Sequence, residues 1–191
     1  HCPTILKKSD FQQITGEMDY PPTLTSSLQQ DDLHYYCNTL VQYTLRGIQV
    51  KLNVLWDFEA DAGAGDTHLA VFRGTRSRID VRQGRDEKFV PEVYVTPNKA
   101  TEHPLVRRAL DRWLHDLSTE FPGVGVIDQG KHFRLSIPSQ YRVGHESHFA
   151  QVTKQFLRYL GRQDTLPAWE KPNMMAKYFV TTCGVEMSRK N

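Results

Sequence analysis

The sequence has no apolar run that approaches the length of a membrane span. Its charges nearly cancel, with a formal net charge of +2 over 191 residues, so neither nucleic acid nor an anionic membrane would attract the chain as a whole. Its three cysteines, at positions 2, 37 and 183, have neither metal-ligand spacing nor the pattern of a disulfide framework. These absences predict a soluble globular protein with no membrane partner and no nucleic-acid partner.

The phosphate-binding loops of nucleotide enzymes are also missing. Gly63-Ala64-Gly65 begins like a dinucleotide loop, but no third glycine follows in position, and the next residues have a strand pattern instead of a helical one. Gly123-Val124-Gly125 follows a helical segment, so it does not fit either, and no GxxxxGK occurs. We therefore predict no cofactor site in this chain, and we interpret Gly63 and Gly65 as a turn between two strands.

The centre of the sequence is rich in strand-forming residues. Residues 33–45 and 48–60 are two long runs of Val, Leu and aromatic residues, with Arg46-Gly47 between them as a turn. Further strand patterns follow the glycine pair, and together they predict an antiparallel meander of about five strands. These further strands are expected within residues 66–74, 77–84 and 89–97, and a separate short strand within 132–138.

Helical patterns flank these strands. Apolar residues recur at helical spacing in 102–121 and 149–160, and two more helices are predicted within 10–15 and 173–187. Gly16, Pro122-Gly123 and Gly161 stand where the first three should end. The sequence therefore predicts an α+β fold, a largely antiparallel open β-sheet with helices packed on one face, in a single domain of residues 1–191.

One constellation near the glycine pair could carry chemistry. It consists of Trp56, Asp57, Glu59, Asp66 and His68. Carboxylates and an imidazole beside an aromatic ring could bind a polyol, act as acid and base, or hold a metal. The simpler interpretation is a solvated turn that carries ordinary surface charges.

A second constellation is the string HESH, residues 145–148. It lacks the i, i+4 histidine pair of HExxH metalloproteases, and no third ligand is evident beside His145 and His148. The favoured interpretation is the start of a helix, with Glu146 stabilising its first turn.

A third constellation places Arg76, Arg78 and Arg82 along one strand, with Asp80 among them. Such a basic patch could bind phosphate or nucleic acid. A charged strand that faces solvent is favoured, because no aromatic residue for base stacking interleaves with the arginines.

Four segments resemble the C-terminal domain of oxidoreductases of the Gfo/Idh/MocA class. They are SDFQQITG, GIQVKLNVLWDFEADAGAGDTHLAVFRGTRSRIDVRQG, VGHESHFAQVTKQFLRYL and LPAWEKPNMMAKYFVTT. The resemblance extends from Ile5 to the neighbourhood of Glu186. It implies an N-terminal Rossmann domain of the same polypeptide that binds NAD or NADP. It also implies that the present half lines the site of a small-molecule substrate and forms a homo-oligomer through its sheet.

The resemblance assigns no catalytic residue to this chain. The catalytic lysine of the class lies in a Glu-Lys-Pro motif of the Rossmann half, whereas Glu170-Lys171-Pro172 opens a terminal helix here, where proline is tolerated. The isolated chain is expected to be inactive, and the implied substrate is a sugar or cyclitol. The residues expected to contact it are Trp56, Asp66, His68 and Arg73, because an aromatic face suits C–H groups and polar side chains suit hydroxyls. His145 and His148 are weaker candidates.

Two alternatives from other classes stay open. The chain could be a stand-alone binding or assembly module that pairs with another chain through its open sheet face. It could also be a metal-dependent hydrolase that combines HESH with Asp66 and His68. A Rossmann sequence upstream would favour the oxidoreductase, and metal retained during purification would favour the hydrolase.

Overall fold

A computed structural model describes residues 2–56 and 62–188 of the chain. The chain divides into two units, one made of residues 1–59 and 164–191 and the other of residues 60–163. The described residues form antiparallel sheets and α-helices, so the predicted α+β class and the antiparallel, open character of the sheet are confirmed.

The first unit is built around one long strand, β3 (Asp32–Leu45). Strands β1 (Cys2–Leu6), β2 (Leu28–Gln29) and β4 (Ile48–Val54) all pair with it in antiparallel register. Arg46 and Gly47 both have positive φ angles, of 50° and 80°, as a tight hairpin turn between β3 and β4 requires. The turn predicted at these two residues is confirmed.

The core of this unit is small and lies beside the first helix. Helix α1 (Lys8–Thr15) buries Phe11 against Leu6 and Leu33, and it ends at Gly16, whose φ of 78° is the left-handed conformation that glycine favours. Helix α4 (Glu170–Ser188) carries Pro172 in its first turn, as predicted.

The second unit contains a separate antiparallel sheet with the strand order β5-β6-β7-β9-β8. Helices α2 (His103–Leu117) and α3 (His145–Gly161) belong to this unit. The strands are β5 (His68–Arg73), β6 (Ser77–Gln83), β7 (Glu92–Pro97), β8 (Gly125–Asp128) and β9 (Phe133–Ser136).

The continuous meander expected from the sequence is therefore wrong, because the strands of the described residues are divided between two sheets. β4 pairs along its whole length with β3, whereas β5 pairs with β6. The turn at Gly63, with a φ of 75°, lies in the connection between the two sheets and closes no hairpin. Alternation of side chains predicts that a segment is a strand, but it does not choose that strand's partner.

Three of the described strands, β1, β2 and β8, have no counterpart among the sequence predictions. β8 begins at Gly125, the last residue of the Gly123-Val124-Gly125 string, and it pairs with β9. Its four residues are too few for an alternating pattern to be distinguished from a loop.

Helix α2 covers one face of the second sheet. Val106 packs with Val95 and Phe133, and Leu110 and Val126 surround them. Phe133 is completely buried, which contributes about 1.5–3 kcal/mol relative to an exposed side chain. The predicted packing of a helix on one face of the sheet is thus present in this unit.

Helix α3 behaves differently. Its predicted boundaries are close to the observed ones, but the side chains of its apolar stripe are all more than half exposed. The stripe consists of Phe149, Val152, Phe156, Leu157 and Leu160. In the part of the chain that the structure describes, no helix is long and apolar enough to cross a bilayer.

Candidate functional site

The face of the second sheet opposite α2 carries most of its charge, and we call it the polar face. Directly opposed residues of antiparallel strands project to the same side, so the strand pairings define its members. The pairs that establish it are Arg73 with Arg78, Asp80 with Tyr94, Arg82 with Glu92, and Tyr94 with Arg134.

Asp80 is the centre of this face. Its side chain is only 2% exposed, and Oδ2 accepts hydrogen bonds from Nη2 of Arg82 at 2.6 Å and from Nη2 of Arg78 at 2.9 Å. Nε of Arg78 lies 2.9 Å from Oδ1, an ion-pair contact whose angle is not that of a hydrogen bond. Burial alone would raise the pKa of Asp80, but the hydrogen bonds and charges of the two arginines lower it below 3.8.

Tyr94 supports the second arginine of this cluster. The guanidinium of Arg82 lies 4.7 Å from the centre of the Tyr94 ring, a cation–π distance. The Tyr94 hydroxyl donates a long hydrogen bond of 3.4 Å to Oε1 of Glu87, and burial, followed by the Glu87 charge, raises the pKa of the phenol.

A second ion cluster lies beside the first. Glu92 is largely buried and accepts hydrogen bonds from Nη2 of Arg142 at 2.9 Å and, at longer range, from Nε of Arg134 at 3.3 Å. Arg142 also donates from Nη1 to the carbonyl oxygen of Pro91 at 2.8 Å. This arginine therefore holds the start of β7 in place.

The interpretation of β6 as a plain solvent-facing strand is wrong at its centre, because Asp80 is buried and an aromatic ring lies under Arg82. The sequence places Arg78, Asp80 and Arg82 on one face through their spacing of two. It could not supply Tyr94, since that contact depends on the pairing of β6 with β7.

The structure places three predicted substrate-binding residues in the second unit. Arg73 lies on the polar face, opposite Arg78. His68 pairs with Gln83 at the other end of β5, and the odd separation of five residues puts it on the opposite face from Arg73. Asp66 precedes the strand with an exposed side chain, and its carbonyl oxygen accepts a hydrogen bond from Nε2 of Gln83. His68 and Asp66 thus share one end of β5, and Arg73 stands at the other.

Trp56 belongs to the first unit. Its ring meets Tyr35 edge-on at 5.4 Å, its amide donates to Oδ1 of Asn38 at 2.8 Å, and its carbonyl accepts from Oγ1 of Thr4 at 3.0 Å. These contacts fix the backbone after β4 and leave the indole partly exposed. Asp57 and Glu59, the other members of the predicted constellation, lie outside the described residues.

The HESH string opens α3, as its favoured interpretation predicted. Nδ1 of His145 lies 3.2 Å from Oε1 of Glu146, and the His145 ring contacts Phe149 at 4.6 Å between ring centres. Among the residues that the structure describes, no three His, Cys, Asp or Glu side chains are grouped so as to hold a metal ion.

A cavity of about 750 Å³ lies between α2 and strands β6 and β7, on the face opposite the polar one. Its walls are mainly apolar, with Ile79 and Val93 from the sheet and Leu105 and Trp113 from the helix. The signal for it is present in the sequence, because Leu105, Ala109 and Trp113 form a second apolar row on α2 with a spacing of four. Helical spacing alone does not show that this row borders a cavity instead of a packed core.

Comparison with known proteins gives one family and one solved structure. Residues 1–189 match the family model described as "Putative oxidoreductase C terminal domain". The chain is also similar to the crystal structure of a putative oxidoreductase from Parabacteroides merdae ATCC 43184, with 36% identity and a TM-score of 0.90. The match covers 99% of this chain and 43% of that one, so the chain spans less than half the length of that protein. No match was found among curated proteins.

Proposed function

Because this chain belongs to the family described as "Putative oxidoreductase C terminal domain", we propose that it is the substrate-binding and oligomerisation half of a nicotinamide-dependent oxidoreductase. We further propose that the oxidoreductase is of the Gfo/Idh/MocA class, in which an N-terminal Rossmann domain of the same polypeptide binds NAD or NADP. In this proposal residues 1–191 act together as the C-terminal half.

The observation that carries the proposal is the similarity to a longer oxidoreductase chain. The match includes nearly all of the present chain but only 43% of the Parabacteroides merdae chain, which leaves room in that protein for a second domain. A nicotinamide, when bound by such a domain, would supply the hydride chemistry. The residues around Gly63 do not fit a dinucleotide themselves, because they lead into strand β5 and not into a helix whose N-terminal amides could meet a pyrophosphate.

The role of this chain would be to bind and orient a substrate of the sugar or cyclitol class. Arginine side chains and a tyrosine on the polar face offer hydrogen-bond donors and an aromatic surface, which suits a molecule with many hydroxyl groups. Arg73 is the predicted contact on that face, Asp66 and His68 at the other end of β5 are the alternative predicted contacts, and Trp56 is predicted in the first unit. No catalytic residue is assigned here, so the isolated chain should bind the substrate without converting it to product.

The same sheet could serve as the homo-oligomer interface, and the exposed apolar stripe of α3 is a surface that a neighbouring domain could cover. This stripe is equally compatible with the second candidate, a stand-alone assembly module, because in both functions another domain or chain would cover the exposed apolar side chains. The length of the native polypeptide distinguishes the oxidoreductase from the stand-alone module.

The test begins with an immunoblot of the source lysate, with antibody raised against this chain. A band well above 22.1 kDa is expected. The larger protein should then reduce NAD or NADP in the presence of at least one member of a panel of sugars and cyclitols, while the 191-residue chain should not. A single band at 22.1 kDa, with no larger precursor, would exclude the oxidoreductase and favour the module.

A further inference from the structure

We propose that Arg73, Arg78 and Thr96 form a binding site for the anionic group, a carboxylate or a phosphate, of a small molecule. The site lies on the polar face at the closed end of the β5–β6 hairpin. Binding there would need neither a nicotinamide nor a second domain, so the proposal can be tested on this chain alone.

The three side chains form a row across three strands. Arg73 on β5 is paired with Arg78 on β6, and Arg78 is paired with Thr96 on β7. Side chains opposed in this way project to the same face with Cβ atoms about 4.5–5.5 Å apart. Two guanidinium groups and a hydroxyl therefore lie on one face of the sheet within a span of about 10 Å, which the long arginine side chains can bridge to a single anionic group.

Among the described residues, the row carries more positive charge than the neighbouring carboxylate offsets. Like charges placed directly opposite each other on a sheet are destabilising. Asp80 is shared between Arg78 and Arg82, and no acidic side chain among the described residues contacts Arg73. An anionic ligand would provide the missing negative charge.

Arg78 is held in place before any ligand arrives. Its Nε and Nη2 atoms face the buried Asp80, so the Nη1 side of the guanidinium is directed away from that carboxylate, and the side chain is 42% exposed. A planar guanidinium that is fixed along one edge can offer its other edge to a carboxylate or phosphate without a further loss of rotamer entropy. The buried acid therefore orients the arginine that would bind the anion.

A matched series of sugars tests the proposal by calorimetric titration of the 191-residue chain at low salt. Glucuronate supplies a carboxylate, glucose 6-phosphate a phosphate, and glucose neither. We expect at least one of the two anions to bind, and glucose to bind at least about tenfold more weakly, because a charge-assisted hydrogen bond contributes about 1.5–3 kcal/mol. The better anion identifies the chemical class of the ligand.

Variants localise the binding. Arg73→Ala should weaken the better anion about tenfold, Thr96→Val should weaken it less, and Arg108→Ala, at an exposed arginine of α2, should not change it. Arg73→Glu should abolish binding and yet raise the thermal midpoint of unfolding, since it replaces the like-charge pair with an ion pair. A variant that loses affinity for the anion and gains stability indicates a ligand site, because loss of a structural residue would lower stability instead.

Three results would overturn the proposal. One is equal affinity for all three sugars. Another is unchanged anion affinity in Arg73→Ala. The third is a dimer in sedimentation that dissociates in Arg73→Glu, with no small anion bound, because the arginines would then face an acidic surface of a second copy.

Discussion

Asp80 accepts a hydrogen bond of 2.6 Å from Arg82 although the carboxylate is only 2% exposed and the arginine is partly open to solvent. Asp80 is thus the buried member of the pair, and Arg82 lies on the polar face in partial contact with solvent. Removing either the carboxylate or its arginine partners lowers the free energy of unfolding, because the groups that remain lose the interactions that offset their own desolvation. The stability of the second unit therefore depends on this carboxylate.

Asp80→Asn should destabilise the protein by about 2 kcal/mol. The full cost of breaking a buried ion pair is about 3–5 kcal/mol, but both arginines can recover some hydration because they are partly exposed. The matched control is Asp111→Asn, which removes an exposed partner of Arg107 on α2 and should cost less than about 0.5 kcal/mol. Urea denaturation followed by circular dichroism measures both changes, and equal midpoints for the two variants would contradict the prediction.

The same pair predicts a specific pH dependence. The pKa of Asp80 is lowered in the folded protein: burial would raise it, but the hydrogen bonds from Arg82 and Arg78 and their charges outweigh burial. An acid whose folded pKa is depressed stabilises the protein above its unfolded pKa, near 3.9, and loses that contribution as the pH falls through the folded value. The difference in urea midpoint between the native chain and Asp80→Asn should thus be constant from about pH 7 to pH 5 and shrink below about pH 4. A difference that closes between those two higher pH values would assign the effect to another group.

Local features of the fold could be predicted from the sequence because local chemistry decides them. The hairpin turn at Arg46-Gly47 and the end of α1 at Gly16 both require positive φ angles, and glycine supplies one at each place. The apolar spacing of residues 102–121 predicted α2 to within a few residues.

Features that depend on strand pairing could not be predicted in this way. The two sheets and the ring of Tyr94 under Arg82 both follow from the pairing of separate segments of the chain. The exposed stripe of α3 is a further example, since helical spacing shows that an apolar face exists but not what covers it.

The two phenylalanines at positions 133 and 149 should respond very differently to truncation. Phe133 is completely buried under α2, so Phe133→Ala should cost about 3–5 kcal/mol through lost burial and the cavity it leaves. Phe149 is 55% exposed on α3, and Phe149→Ala should cost less than about 1 kcal/mol in the isolated chain. Chemical denaturation of both variants tests this, and a large loss for Phe149→Ala would mean that α3 is packed in solution.

Gly63 should be more sensitive to alanine than its open surroundings suggest. Apart from its two chain neighbours, no atom of the described residues lies within 4 Å of the position that an alanine Cβ would occupy there, yet its φ of 75° is a conformation that alanine adopts at a cost of about 1 kcal/mol. Gly161 is the matched control, because it is equally open and, as the last residue of α3, has no left-handed φ, so alanine fits there. Thermal unfolding of Gly63→Ala and Gly161→Ala should show a lower midpoint for the first variant only. Equal midpoints would mean that the turn at Gly63 contributes little to stability.

On the proposed function, substitutions of Arg73 and of His68 should have different effects on the KM of a full-length oxidoreductase. They lie on opposite faces of β5, five residues and therefore about 17 Å apart along the strand, which is farther than one monosaccharide can reach. A single substrate should consequently contact one of them. We expect Arg73→Ala to raise KM about tenfold, because the anion-binding row lies on its face, and His68→Ala to leave KM unchanged. The reverse result would move the substrate to the end of β5 where Asp66 and His68 lie. Equal effects of both substitutions would indicate that neither residue acts by direct contact.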